Sequence, residues 1–163
     1  MEHRSESTGG IVSVSREIAA SPSTVWELVS DLPRMGEWSP EATGGRWKGG
    51  ASRAFKGARF VGHNRHGWRR WSTLATVVEC NPGKSFAFDI TAGPVKVARW
   101  RYDLEPTEHG CTIAESWEDH RSALFARTTS LLTGVTDRAG QNRRNMTATL
   151  DALARAAEAG GDG

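Results

Sequence analysis

The sequence predicts one α+β domain in which a curved antiparallel sheet of seven strands wraps around a long C-terminal helix. Three observations carry this: a strand pattern that runs straight into a short helix, six further strand patterns separated by turn residues, and a final third with helical period. At 163 residues the chain is long enough for one hydrophobic core and short for two. The polar, Gly-rich ends 1–10 and 158–163 are expected to fray, leaving a single domain at 11–157.

Each element follows from local chemistry. In Ile11 to Ala19, Ile11, Val12, Val14 and Ile18 are interleaved with Ser13, Ser15 and Glu17, which reads as a strand. Ser21 then offers a side-chain oxygen to the first turn of a helix, and Pro22 at its first position loses no needed donor. Val25, Leu28, Val29 and Leu32 share one side of that helix, which Pro33 is expected to end, with a further helical turn over Pro33 to Glu37. Strands are predicted at Glu41 to Trp47, Ala58 to Arg65, Arg69 to Glu79, Lys84 to Ile90, Val97 to Glu105 and Cys111 to Glu118. Gly49-Gly50, His66-Gly67, Asn81-Pro82-Gly83, Gly93-Pro94 and Pro106 to Gly110 supply the turns, and joints this short allow only antiparallel neighbours, as in a meander. Ala123, Leu124, Phe125, Leu131 and Leu132 form an apolar segment up to Thr133-Gly134. Asp137 can cap a helix to about Ala157, with a stripe of Ala139, Met146, Leu150, Leu153 and Ala157 and with Arg138, Arg143, Arg144 and Arg155 outside it.

Composition narrows the function. Two cysteines make no disulfide framework, the N-terminus has no apolar leader, and no window approaches 18 apolar residues, so a cytoplasmic location without stable membrane insertion is expected. A net charge of +2 with dispersed basic residues argues against nucleic acid. The one basic cluster, Arg65 to Arg70 with Trp68 inside it, falls at a hairpin tip and reads first as a solvated turn. His63 and His66 point to opposite sides of a strand, and no third ligand joins them, so neither a metal nor another cofactor is expected. No nucleophile-elbow or phosphate-cradling motif is present. The feature that stands out is seven Trp and five Phe against one Tyr, which calls for a core, a cavity or an interface to hold the rings.

The strings Trp38-Ser39-Pro40-Glu41, Gly57-Ala58-Arg59-Phe60-x-Gly62-x-Asn64-Arg65, Trp71, Pro82-Gly83, Trp100-x-Tyr102-x-Leu104-x-Pro106 and Gly110-Cys111 to Glu115-x-Trp117 occur in the order of the predicted elements. In these the chain resembles the START-like superfamily (SRPBCC), nearest its bacterial polyketide cyclase/dehydrase-like members, over about Ile11 to Ala157. Gly110-Cys111 departs from the usual Gly-Thr of that family. The resemblance implies a helix-grip fold around a deep cavity for an apolar ligand.

The residues expected to line it are Trp38, Phe60, Asn64, Trp71, Thr73, Phe86, Phe88, Trp100, Tyr102, Glu115 and Trp117 of the sheet side, Phe125 and Leu132 of a lid at Ser122 to Thr133, and Met146 of the long helix. For any one ring, ordinary core packing is an equal alternative. Glu115 is the sharpest position, because alternation puts its carboxylate among Cys111, Ile113 and Trp117. It is either desolvated beside a ligand, paired near the cavity mouth with an arginine such as Arg99 or Arg101, or exposed at the strand end. Three functions follow: a carrier or sequestering protein for a lipid, steroid-like or polyketide-like molecule; a cyclase, aromatase or dehydratase in which Glu115, Tyr102 and Asn64 position groups or move protons; or, where Trp68 and the arginine hairpin belong to a large exposed patch, a surface partner-binding protein. Monomer and homodimer are both compatible with the sequence.

Overall fold

The computed structural model describes residues 10–160 and the backbone of 4–8. Residues 1–3, 9 and 161–163, parts of the expected polar ends, lie outside the described residues. The chain runs β1 (Arg4–Thr8), β2 (Ile11–Ile18), α1 (Pro22–Ser30), a 3₁₀ turn (Leu32–Glu37), β3 (Ala42–Trp47), β4 (Arg59–His66), β5 (Arg69–Asn81), β6 (Ser85–Ala92), β7 (Val95–Thr107), β8 (Gly110–Asp119), α2 (Ala123–Thr133) and α3 (Arg138–Ala159). All strands join one antiparallel sheet in the order β1-β2-β8-β7-β6-β5-β4-β3. This is the helix-grip arrangement: β3 to β8 form the meander, and β2 returns to pair with β8.

Three details differ from the sequence expectation. Arg4–Thr8 is an eighth strand rather than part of a frayed end, pairing with β2 from Arg4 opposite Ser15 to Thr8 opposite Ile11. An edge strand of this kind is held by backbone hydrogen bonds to the free side of β2, which require no apolar pattern. The first helix stops at Ser30, before Pro33, which lies inside the 3₁₀ turn. On α3, Ala139 is exposed and Arg138 is largely covered. The buried face there includes Asn142, Asn145 and Thr149 with Met146, Leu150 and Leu153.

The sheet curves because its ladder is interrupted. Register shifts fall at Ala42/Gly44, Val77/Glu79 and Ile90/Thr91, and each extra residue bends and twists its strand. One end of the concave face is closed by α1, whose start is capped by the Ser21 hydroxyl accepting from the Thr24 N–H at 3.1 Å. Trp26 of α1 donates from its indole to the Ser85 carbonyl at 3.0 Å and meets Phe86 edge-on, with centroids 6.4 Å apart. The C-terminal half of α3 packs Leu150, Leu153, Ala154 and Ala157 against the region of Val14, Ile18 and Ile113. Arg16 of β2 pairs with Asp151 of α3 on the same side.

Removing the buried Leu150 side chain leaves a hole where α3 meets the sheet. Leu150→Ala should lower unfolding stability by about 2–5 kcal/mol, read from urea denaturation followed by tryptophan fluorescence. A loss under about 1 kcal/mol would show that α3 is not clamped there.

Candidate functional site

The N-terminal half of α3 does not touch the sheet in the same way. Between it and the strands lies a cavity of about 460 Å³. Its far wall rests on cross-strand rows, of which Phe88, Trp100, Trp117, Tyr102 and Glu115 line the cavity while the flanking residues are core. Val77, Phe88, Trp100, Trp117 and Val12 stand opposite one another across β5, β6, β7, β8 and β2, and the Trp100 and Trp117 rings are 6.5 Å apart. The next row runs Phe86, Tyr102, Glu115, Val14. The wall continues through Phe60, Asn64, Trp71 and Thr73 of β4 and β5, and α3 closes the other side with Asn142, Asn145, Met146 and Thr149.

The structure brings the sequence-predicted set together on this wall except for two members. Phe86 faces the same side of β6 as Phe88, but Trp26 of α1 covers it and makes it core. Trp38 is buried beyond the 3₁₀ turn, where the Arg34 guanidinium stacks on its ring at 5.3 Å, while Leu32 and Met35 take the cavity side. Phe125 and Leu132 of α2 line the mouth.

Glu115 has a specific partner. The Tyr102 hydroxyl donates to Glu115 Oε1 at 2.8 Å, while Glu115 Oε2 is buried and meets no hydrogen-bond partner among the described residues. The alternative pairing with Arg99 or Arg101 is not made. Those arginines lie on the convex face, Arg99 bonded to Asp89 and Arg101 to Glu79 and Asp103. Burial without a countercharge pushes the Glu115 carboxyl up to about 8, a rise the Tyr102 hydrogen bond only partly offsets. Tyr102 is itself held well above its ordinary value by burial and by the adjacent carboxylate. With Oε1 already accepting, the carboxyl proton belongs on Oε2, so near neutral pH the wall carries a neutral acid.

Several polar wall residues were invisible to the sequence reading. Asn145 accepts from Gln141 at 2.9 Å through Oδ1, and the Thr149 hydroxyl donates to the Asn145 carbonyl at 2.8 Å. The Asn142 amide, 3% exposed as a residue, has no side-chain hydrogen bond among the described residues. Their signal was the spacing 142, 145, 149, which shares a helical face with Met146 and Leu150. At the mouth, Arg138 forks onto both carboxylate oxygens of Glu41 at 2.9 and 3.0 Å. It also donates to Thr133 at 3.0 Å and lies over the Trp71 ring at 5.8 Å. Arg121 bonds Asp119 and reaches Thr129 of α2 at 3.0 Å. Two arginines thus tie α2 across the opening.

Comparison with known proteins agrees with this geometry. Residues 10–158 match the family model described as polyketide cyclase / dehydrase and lipid transport. The chain belongs to that family. Among solved structures it is 31% identical to the Polyketide_cyc-like protein Cgl2372 from Corynebacterium glutamicum, covering 93% of both chains with a TM-score of 0.56. It superposes on the di-domain ARO/CYC StfQ of the steffimycin biosynthetic pathway with a TM-score of 0.73 at 13% identity, covering 94% of this chain and 52% of that one. The AHSA1-like protein from Aeromonas hydrophila is similar at 17% identity and TM-score 0.63, over 93% and 94% of the two chains. No curated protein matches the sequence significantly. The fold is therefore a hydrophobic-ligand-binding one, and no helix among the described residues is long and apolar enough to cross a membrane.

The Glu115 shift fixes a pH dependence. Its folded value, about 8, lies above the 4.5 of an unperturbed glutamate, so between the two the folded chain holds a proton that the unfolded chain has released. Stability must fall as pH rises through that window and level off above it. Urea midpoints at pH 5, 7 and 9 should show wild type losing on the order of a few kcal/mol more than Glu115→Gln across the series. Parallel profiles for the two proteins would place Glu115 in a solvated site.

Proposed function

We propose that the protein binds an apolar small molecule of lipid, steroid-like or polyketide-like character in the cavity between the sheet and α3, as a carrier or sequestering protein. The observation that supports this reading is the cavity itself: about 460 Å³, within the size range of small-ligand sites, with ring walls and a mostly apolar surface. Apolar surface of the ligand and of Phe88, Trp100 and Trp117 would leave water together on binding, contributing roughly 25 cal/mol per Å² before ordering costs. Asn64, Thr73, Tyr102, Glu115 and Asn142 would fix its orientation through the few polar atoms it presents. The lid α2, tied by Arg121 and Arg138, would open for entry and close behind the ligand.

Titrating a fatty acid, a steroid and a polycyclic aromatic ketone against intrinsic tryptophan fluorescence tests the reading. At least one class should bind with 1:1 stoichiometry and raise the melting temperature. A protein indifferent to all three classes in both measurements would overturn it.

One observation favours a second, enzymatic reading: a neutral, buried carboxyl hydrogen-bonded to a tyrosine is a general acid held ready near pH 7. In this reading Glu115 would protonate a ligand carbonyl oxygen as an α-carbon of the chain, its proton lost to water, adds to that carbonyl, or would protonate a hydroxyl that departs as water while an α-proton is lost to solvent, with Tyr102 and Asn64 positioning the chain. The two readings separate on Glu115→Gln, assayed with a linear poly-β-ketone thioester mimic. Under the enzymatic reading cyclisation falls by about 10²–10⁴ while ligand affinity stays within a few-fold. Under the carrier reading wild type does not cyclise the mimic, and only affinity responds to the substitution.

A further inference from the structure

The outside of the lid has the opposite character from an ordinary surface helix. Leu124, Leu131 and Leu132 of α2 are 77%, 79% and 69% exposed, while Thr129 and Thr133 face inward to Arg121 and Arg138. Leu124 and Leu131 are seven residues apart and therefore share one outward stripe. Beside the C-terminal end of this helix stands the β4–β5 hairpin. Gly134, which ends α2 with φ 74°, leaves no room for a Cβ because the Arg69 guanidinium lies against it. Trp68 at the hairpin tip is 82% exposed, stacked on by Arg69 at 4.7 Å. One side of the cavity mouth thus carries a large tryptophan and three leucines in water, well beyond the scattered single apolar residues of a normal surface.

The two segments that carry this patch are basic, and the carboxylates nearest them, Asp119 and Glu41, are engaged by Arg121 and Arg138. The hairpin residues 65–70 contain Arg65, Arg69 and Arg70, the segment 121–134 contains Arg121 and Arg127, and neither segment holds an Asp or Glu. Arg65, Arg69, Arg70 and Arg127 form no ion pair among the described residues, although the protein as a whole is close to neutral at +2. Leucine and tryptophan tips ringed by unpaired arginines complement a surface that is apolar below and anionic above. Phe125, Thr128 and Leu132 belong to both the patch-bearing helix and the cavity wall, so anything covering the patch also covers the mouth.

We propose that the outer face of α2 and the β4–β5 hairpin form a docking surface for an anionic lipid bilayer, on which the protein sits peripherally with its cavity mouth against the membrane. The leucines and Trp68 enter the headgroup boundary, and the arginines meet lipid phosphates. Binding of vesicles needs no cavity ligand, so this proposal stands or falls separately from the proposed function.

The test is co-sedimentation of the full chain with vesicles of phosphatidylcholine alone and of phosphatidylcholine with about 30% phosphatidylglycerol. The expected result is binding at least about tenfold stronger to the anionic vesicles, weakening several-fold between low and high salt. Leu124→Glu with Leu131→Glu, and separately Arg65→Glu with Arg70→Glu, should each reduce it about tenfold or more. Far-ultraviolet circular dichroism and melting temperature should stay at wild-type values, since all four side chains face solvent. A folded wild type that stays in the supernatant with both vesicles overturns the proposal. So does a solution dimer that the leucine substitutions dissociate, which would make a second copy the occupant. Tight binding to single-stranded DNA that ignores the leucine substitutions would likewise replace the membrane with nucleic acid.

Discussion

The structure depends on a mismatch of size. Eight strands, bent at their bulges, present a concave face wider than one helix can cover, and α3 is the main helix available to cover it. Its C-terminal half packs tightly on β2 through Leu150, Leu153 and Ala157, which anchors the helix and fixes its path. The N-terminal half then stands away from the strands of the aromatic rows. Interiors normally close to crystal-like density, so a space of this size persists only where rigid walls prevent collapse. Here those walls are the cross-strand stacks of Phe88, Trp100 and Trp117, fixed by ladder hydrogen bonds from both sides.

The same mismatch explains the polar groups. A carboxyl without a countercharge could not stay ionised in a packed core, and at Glu115 burial has the expected effect of favouring the neutral acid. Glu115 Oε2 is buried without a hydrogen-bond partner among the described residues, which a fully packed core disfavours strongly. Across the mouth, the protein uses charge instead of packing. Arg138 with Glu41 and Arg121 with Asp119 hold α2 by hydrogen bonds to Thr133 and Thr129, contacts that can break and reform without disturbing the core.

What the sequence made legible follows from which forces have a sequence period. The order of strands and helices from Ile11 onward was readable because alternation and turn residues coincide, and the same alternation put Glu115 on the inner face with Trp117. The strand Arg4–Thr8 was not readable, because backbone pairing to an edge leaves no mark on side chains. Asn142, Asn145 and Thr149 share the buried face of α3 but interrupt its apolar stripe, so hydrophobic periodicity alone does not mark them. Trp38 and Phe86 were misplaced for a different reason. Their facing was plausible, but whether a ring meets a cavity or a neighbour depends on α1 and the 3₁₀ turn, which approach from elsewhere in the chain. The Arg138–Glu41 pair joins residues 97 positions apart and has no local signature at all.

A persistent apolar space beside α3 is the claim on which the ligand reading rests, and xenon probes it without knowledge of the ligand. Crystals pressurised with xenon should show the atom bound between Phe88, Trp100, Trp117 and Met146, with the surrounding side chains unmoved. Density free of xenon, with Met146 and the tryptophan rings collapsed into contact, would contradict a pre-formed cavity and leave the aromatic rows as ordinary core.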